Sequence, residues 1–366
     1  MALRKHMPIF LLVLSILLLF RRDLIAKALY NGGIVLVNHG FANNNSTGYM
    51  SIYAESLLRQ AANWSNNTLI PQTGLALLYH SQNRYSPALT AWRRSAVDSD
   101  YLIDWALKNW AAKQYEEALV WLQYAKNINP DSAEAYYWTG RIYNVMQQPD
   151  SAIIELQKAS ELAPNVRDIW YELAQAYQSS QAWDLALKTL IKAQAGTESY
   201  HYVGQSNVLF EIGFALQYNQ ISPDLDAAGA AYAHALQVNE FLTKPWQKAN
   251  TYYQRGLLLA LQGEWEAAQQ EYEQALALNP NAYNVRISYA RALRNGGQQQ
   301  LAIDVLYDAI KLKPNNIEAI ILLGDFYYWD NEMEIALNLY KQAAHLAPTD
   351  KDIKQRLEVV GHALSQ

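Results

Sequence analysis

At 366 residues the chain is long enough for two or three globular domains unless it is repetitive, in which case stacked repeats form one elongated body. Half of it is apolar (51%) and only 17% is charged, with 26 Tyr and 11 Trp, which excludes a disordered polyelectrolyte. It has no cysteine, so disulfide frameworks, thiolate catalysis and Cys-type zinc sites are excluded. The net charge is −5, and beyond residue 30 the balance is 24 basic against 33 acidic residues, which argues against a nucleic-acid partner.

Residues 7–20 form an apolar run interrupted only by Ser15, preceded by Arg4 and Lys5 and closed by Arg21 and Arg22. As a helix, fourteen residues reach about 21 Å, against a hydrocarbon core of about 30 Å. The arginine pair abuts the run where a cleavage region is small and uncharged, and flanking Arg and Lys can snorkel. We therefore read residues 1–23 as an uncleaved single-pass membrane anchor with the body outside the cytoplasm; the alternatives are a cleaved signal segment and a secreted protein, or a buried helix. Residues 24–68 read as a degenerate first repeat or a linker, with Gly33, Leu36, Ala54, Leu58 and Ala61 at repeat-like positions.

From residue 69 the chain repeats at about 34 residues. The set Gly140, Tyr143, Ala152, Leu156, Ala159, Pro164 recurs as Gly256, Leu259, Ala268, Tyr272, Ala275, Pro280, and again as Gly324, Tyr327, Ala336, Tyr340, Ala343, Pro348. Further copies run through Ala290, Leu293, Ala302, Leu306, Ala309 and Pro314, through Ala174, Tyr177, Ala186, Leu190 and Ala193, and through Ala106, Ala118, Leu122, Ala125 and Pro130. Large apolar residues three or four apart mark one face of an amphipathic helix. Small residues such as Gly140 and Ala152 mark where two antiparallel helices approach closely. The closing Pro stops the second helix, because it lacks a donor and clashes with the preceding turn. Turns such as Gln262-Gly263 and Asn295-Gly296-Gly297 supply the left-handed backbone that ends the first helix.

This pattern resembles the tetratricopeptide repeat family. The resemblance covers about residues 69–350, with copies near 69–98, 99–132, 133–166, 167–198, 206–241, 249–282, 283–316 and 317–350. It implies an all-α fold, a right-handed α-solenoid of about eight antiparallel hairpins, here with an N-terminal apolar helix and a C-terminal capping helix at 351–366. Repeats 69–198 and 249–350 flank an irregular region, 199–248. There the loops 196–205 and 239–248 break the rhythm, with Pro245 forcing a break. They read either as tolerated drift or as bends that present Tyr200, Tyr202 and Trp246 to a partner.

No phosphate-cradling loop, dinucleotide fingerprint or HExxH is present, and the histidines lack ligand spacing, so no catalytic, cofactor or metal site is expected. The family resemblance implies instead that the first helix of each hairpin lines a concave groove. In this register the groove positions are Trp110, Tyr137, Arg141, Tyr171, Gln175, Phe210, Phe214, Tyr218, Tyr253, Arg291, Arg294, Asp325, Tyr328 and Trp329. Aromatic residues give large contact area at low entropy cost, which suits an extended peptide. Chaperone-binding members clamp a terminal carboxylate with Lys, Asn and Arg. Tyr137, Tyr171 and Tyr253 stand where the first Lys would be, which disfavours that ligand. Arg291 and Arg294, a turn apart, can meet an acidic ligand or pair with Asp325. The expected function is a membrane-tethered scaffold or adaptor that binds a protein or extended peptide. The alternatives are a glycan- or lipid-pathway accessory protein whose aromatic groove stacks saccharide, and a non-catalytic subunit positioning a separate enzyme.

Overall fold

In the computed structural model, residues 26–31, 33–34, 49–64, 69–200, 203–219, 223–238 and 245–365 are described. They form two compact units that meet in sequence at Pro164 and Asn165. The first unit contains α1 (Tyr49–Trp64), α2 (Leu69–Ser81), α3 (Tyr85–Ser95), α4 (Ser99–Ala111), α5 (Tyr115–Ile128), α6 (Ala133–Val145) and α7 (Pro149–Leu162). The second contains α8 (Arg167–Ser179), α9 (Trp183–Ala195), α10 (Gln205–Tyr218), α11 (Leu225–Gln237), α12 (Pro245–Leu261) and α13 (Trp265–Leu278). It continues with α14 (Tyr283–Asn295), α15 (Gln299–Leu312), α16 (Ile317–Trp329), α17 (Met333–Leu346) and α18 (Lys351–Leu364). Among the described residues there are no β-strands, and each unit is a stack of adjacent helix hairpins: α2/α3, α4/α5 and α6/α7 in the first, α8/α9 through α16/α17 in the second.

The expected single-pass anchor, with the body outside the cytoplasm, is not sustained. Among the described residues no helix is long and apolar enough to cross a membrane, and residues 7–20 lie outside them. The longest described helix, α12, has 17 residues and carries Lys248 and Arg255. The apolar run itself is about 9 Å short of a hydrocarbon core.

The repeat residues do what their chemistry requires. Ala118, Ala152, Ala186, Ala228, Ala268, Ala302 and Ala336, near the start of each second helix, are fully buried; so are Ala125, Ala159, Ala193, Ala235, Ala275, Ala309 and Ala343 two turns later. Pro130, Pro164, Pro280, Pro314 and Pro348 each directly follow a cap residue, whose N–H donates to the alanine carbonyl four residues back. Asp98, Ser132, Asp224, Asn316 and Asp350 accept from the backbone N–H three residues on, and Asp350 from that of Asp352 as well, capping the helices they precede. Pro245 opens α12, a first-turn position where its missing donor costs nothing.

The small residue of the first helix also makes room for a large side chain of the second. A methyl group added at Gly140 would lie 2.4 Å from Leu156 Cγ, and one at Gly256 or Gly324 would lie 2.7 Å from Cε1 of Tyr272 or Tyr340. Each glycine thus accommodates the large residue sixteen positions on. Where that residue is Leu122, Leu190 or Leu306, the facing position is Ala106, Ala174 or Ala290. Gly256→Ala gains helix propensity of at most about 1 kcal/mol, while pressing a methyl into a fully buried, rigid ring costs about 1–3 kcal/mol. We expect a net loss of about 1–2 kcal/mol in denaturant melts, partly restored in Gly256→Ala/Tyr272→Leu, which recreates the alanine–leucine pairing of other hairpins. An unchanged midpoint for the single variant would show that the ring can yield.

Apart from the α10/α11 turn, whose residues 220–222 lie outside the described ones, the turn within each hairpin holds one residue at positive φ. Glycine supplies it at Gly263 and Gly297 (both φ 81°), as the sequence predicts. Elsewhere the same place is filled by Asn83, Lys113, Gln147, Gln181 and Asn331, with φ between 57° and 62°. A left-handed non-glycine residue costs about 1–2 kcal/mol, against an entropic cost of glycine of about 0.5–1 kcal/mol. Lys113→Gly is therefore expected to raise stability by up to about 1 kcal/mol, read as a higher denaturation midpoint; a lower one would mean the lysine side chain holds the turn.

Candidate partner-binding surface

In the first unit, α4 and α6 bring Trp110, Tyr137 and Arg141 together. The Arg141 guanidinium lies 5.0 Å from the Trp138 ring centre and 5.8 Å from that of Trp110, and its Nη1 donates to the Tyr137 hydroxyl at 3.3 Å. Trp110 also packs on Tyr115 at 5.3 Å. Tyr137 is 1% exposed, so its ring is part of the hairpin core and is withdrawn from any ligand. Trp110 and Arg141 remain half-buried.

In the second unit the remaining positions fall into three groups. The first is polar. Glu211 of α10 accepts hydrogen bonds from the Tyr171 hydroxyl (3.4 Å) and from Gln178 (3.1 Å), both on α8, and Gln175 adds a further side-chain hydrogen bond. Removal from water, with Glu172 nearby, pushes the Glu211 carboxyl up to about 7. Burial pushes the Tyr171 hydroxyl well above its ordinary value, with Glu211 and Glu172 adding to it. The second group is an aromatic row on α10: Phe210 and Phe214 lie 6.4 Å apart, Phe214 and Tyr218 4.4 Å apart. Tyr218, 38% exposed, donates to Gln254 Oε1 on α12 at 3.1 Å. Tyr253 of α12 packs 6.2 Å from Tyr272, and its hydroxyl meets Ser288 of α14 at 3.4 Å.

The third group lies on α14 and α16. Arg291 pairs with Glu318 at 2.9 Å, with both side chains exposed. Arg294 makes a two-pronged pair with Asp330 at 2.6 and 3.0 Å and lies over the rings of Phe326 and Trp329. Both arginines therefore find acids of the next hairpin, and neither reaches Asp325. That carboxylate accepts instead from Arg356 of α18 (2.8 and 3.2 Å) and from the Tyr340 hydroxyl (2.7 Å). Asp325, Tyr328 and Trp329 line a cavity of about 310 Å³ together with Arg356, Val359 and Val360 of α18. Trp329 stands 59% exposed at its edge.

The described residues of the loop after α9 are held by hydrogen bonds. Thr197 and Glu198 N–H donate to the Asn165 carbonyl, Arg167 N–H donates to the Glu198 carbonyl, and the Arg167 guanidinium donates to the carbonyls of Gly196 and Val203. The Tyr200 N–H donates to the fully buried Asp168, and Tyr200 is half-buried. Tyr202 lies outside the described residues. Trp246, by contrast, is 58% exposed at the start of α12. It lines a cavity of about 80 Å³ with Tyr171, Phe210, Glu211 and the α12 residues Gln247, Asn250 and Thr251. Sequence reading passed over Glu211. The available signal was its isolation: it is the single charged residue in the apolar and amide-rich α10.

Family models for the tetratricopeptide repeat match residues 133–166 and 253–317. Tetratricopeptide repeat protein 7A of Homo sapiens is 32% identical over 94 residues, a stretch that covers 26% of this chain but only 11% of that protein. Among solved structures, a repeat protein from Cytophaga hutchinsonii superposes with a TM-score of 0.54 at 17% identity, covering 70% of this chain and 99% of the other. PilF of Pseudomonas aeruginosa gives 0.51 at 19% identity over 60% of this chain and 94% of PilF. The Cut9–Hcn1 hetero-tetramer of the APC/C gives 0.50 at 12% identity, covering 86% of this chain and 64% of the matched chain. The 34-residue period, the hairpin stacks and the matched stretches agree: the chain carries tetratricopeptide repeats and has the stacked-hairpin fold of that family.

Proposed function

We propose that the protein is an interaction scaffold whose second unit grips an extended segment of a partner protein along the first helices of its hairpins. The fold is that of protein-interaction scaffolds in general. What carries the finer reading is the run of accessible aromatic groups on α10, α12 and α16: Tyr218, Trp246 and Trp329 are 38%, 58% and 59% exposed. All three stand on first helices of second-unit hairpins, and large rings left in solvent are the side chains that anchor peptides in binding sites. A neighbour in fold is part of a hetero-tetramer, consistent with a role in holding another chain.

Display of random dodecamer peptides against the full chain tests this. Selection of a shared sequence pattern is expected. Affinity for the selected peptides should fall about tenfold or more in Tyr218→Ala/Trp246→Ala/Trp329→Ala, since interface aromatics each contribute on the order of 1–2 kcal/mol. No enrichment, or full binding by the triple variant, would rule the reading out.

A further inference from the structure

The small cavity between α8, α10 and α12 joins two features that rarely meet without a reason. Three of its lining residues are aromatic, Tyr171, Phe210 and the exposed Trp246, and Glu211 is the one charged residue among the polar remainder, Asn207, Gln247, Asn250 and Thr251. The titratable groups set against that carboxyl are Tyr171 and Glu172 of α8 and Tyr232 of α11, and α12 turns Gln247, Asn250 and Thr251 toward the cavity. Among the described residues no Lys or Arg lines it. The hydrogen bonds that Glu211 accepts come from neutral donors, Tyr171 and the amides of Gln178 and Gln175. A carboxylate withdrawn from water is retained at a cost unless a cation completes it.

We infer that this cavity is a subsite for a lysine side chain of the partner segment, the ammonium meeting Glu211 and the last methylenes lying between Trp246, Phe210 and Tyr171. The inference rests on the peptide-binding reading above and names the chemistry of one position in that peptide. Size fits: about 80 Å³ is between two and three water volumes at about 30 Å³ each, room for an ammonium and its adjoining methylenes. Aromatic faces attract an ammonium through their quadrupole, most strongly where water is excluded, and the carboxylate supplies the full charge. The rise of the Glu211 carboxyl to about 7 adds a signature. The ammonium binds the ionised form, so its affinity is lost as pH falls through 7, by about tenfold between pH 8 and pH 6.

The probe is n-butylammonium, which carries the end of a lysine side chain without a peptide, with n-butanol as its neutral counterpart. Saturable quenching of Trp246 emission, read as the difference between wild type and Trp246→Phe, is expected with the cation alone. It should disappear in Glu211→Gln, whose far-UV dichroism and melting confirm an intact fold, and weaken about tenfold at pH 6. Equal responses to both probes, no response, or an unchanged response in Glu211→Gln would each overturn the subsite. The random-peptide selection separates the two readings. Enriched peptides without a conserved lysine, or with a lysine indifferent to Glu211→Gln, sink the subsite and leave the scaffold standing. Cation binding without any peptide enrichment removes the scaffold reading and with it the lysine of a partner segment as occupant, leaving the cavity a cation site only.

Discussion

Trp92→Ala is expected to cost about 3–5 kcal/mol, the usual price of emptying a fully buried indole site. Trp92 is 0% exposed in α3 and packs its ring 5.9 Å from Trp121 and 6.0 Å from Tyr101, so the cavity left behind opens onto two rigid rings that cannot close it. Its Nε1 has no hydrogen-bond partner. Trp92→Phe therefore removes volume and no hydrogen bond, and should cost much less than the alanine variant. Stacked repeats need not unfold in one step, so denaturant melts should be paired with amide exchange across α3, α4 and α5. Loss of protection confined to those helices is the expected pattern. A cost below about 1 kcal/mol would mean that the hairpins around Trp92 collapse to fill the space.

The second large effect is a dependence of stability on pH that Glu211→Gln should remove. The carboxyl titrates near 7 in the folded chain because it is withdrawn from water, against an ordinary value of 4.5 when unfolded. Between those values the folded state holds a proton that the unfolded state has released. The contribution of this group is therefore most favourable below about 4.5, declines as pH rises, and levels off above 7. A shift of this size corresponds to roughly 3 kcal/mol across the window. Glutamine keeps the shape and the hydrogen-bonding oxygen without the charge. Glu211→Gln should match the wild type at pH 5 and exceed it clearly at pH 8 in urea denaturation. An identical difference at both pH values would show that the carboxylate is not destabilised by its surroundings. A lysine-like cation in the cavity should shrink the difference at pH 8, which ties the stability experiment to the proposed subsite.

These two residues stood differently in the sequence. Trp92 occupies a position of the 34-residue pattern, the one filled by Leu122, Leu156, Leu190, Tyr272, Leu306 and Tyr340 in later copies, so its burial was legible from spacing. Glu211 belongs to no repeat position that spacing marks. Its environment is made by Tyr171, Gln175 and Gln178, roughly a repeat earlier in the chain, and by the start of α12. Tyr137, Tyr171 and Tyr253 share one register position, yet Tyr137 is buried with Arg141 against it while the other two stay only partly covered. Register assigns a helix face; neighbours from the next hairpin decide how much of that face remains open. The arginines make the same point, since Arg291 and Arg294 sit one turn apart and take different acids, Glu318 and Asp330, while Asp325 goes to Arg356 of α18.

The sequence by itself determined the period, the hairpins, the buried alanines, the prolines that end second helices and the glycine turns at Gly263 and Gly297. Those features depend on backbone geometry and on contacts within a turn or two, where residue type and spacing are sufficient information. Only the tertiary structure decided that Gly140 and Gly256 make room for Leu156 and Tyr272, that Lys113 and Gln147 accept left-handed backbone, and that Arg167 and Asp168 hold the loop before α10. It also set Glu211 beside Tyr171, Phe210 and Trp246 in one small cavity. Each of these is set by packing between segments distant in the chain, where burial and partner choice depend on which side chains the fold brings together and no local spacing records the outcome.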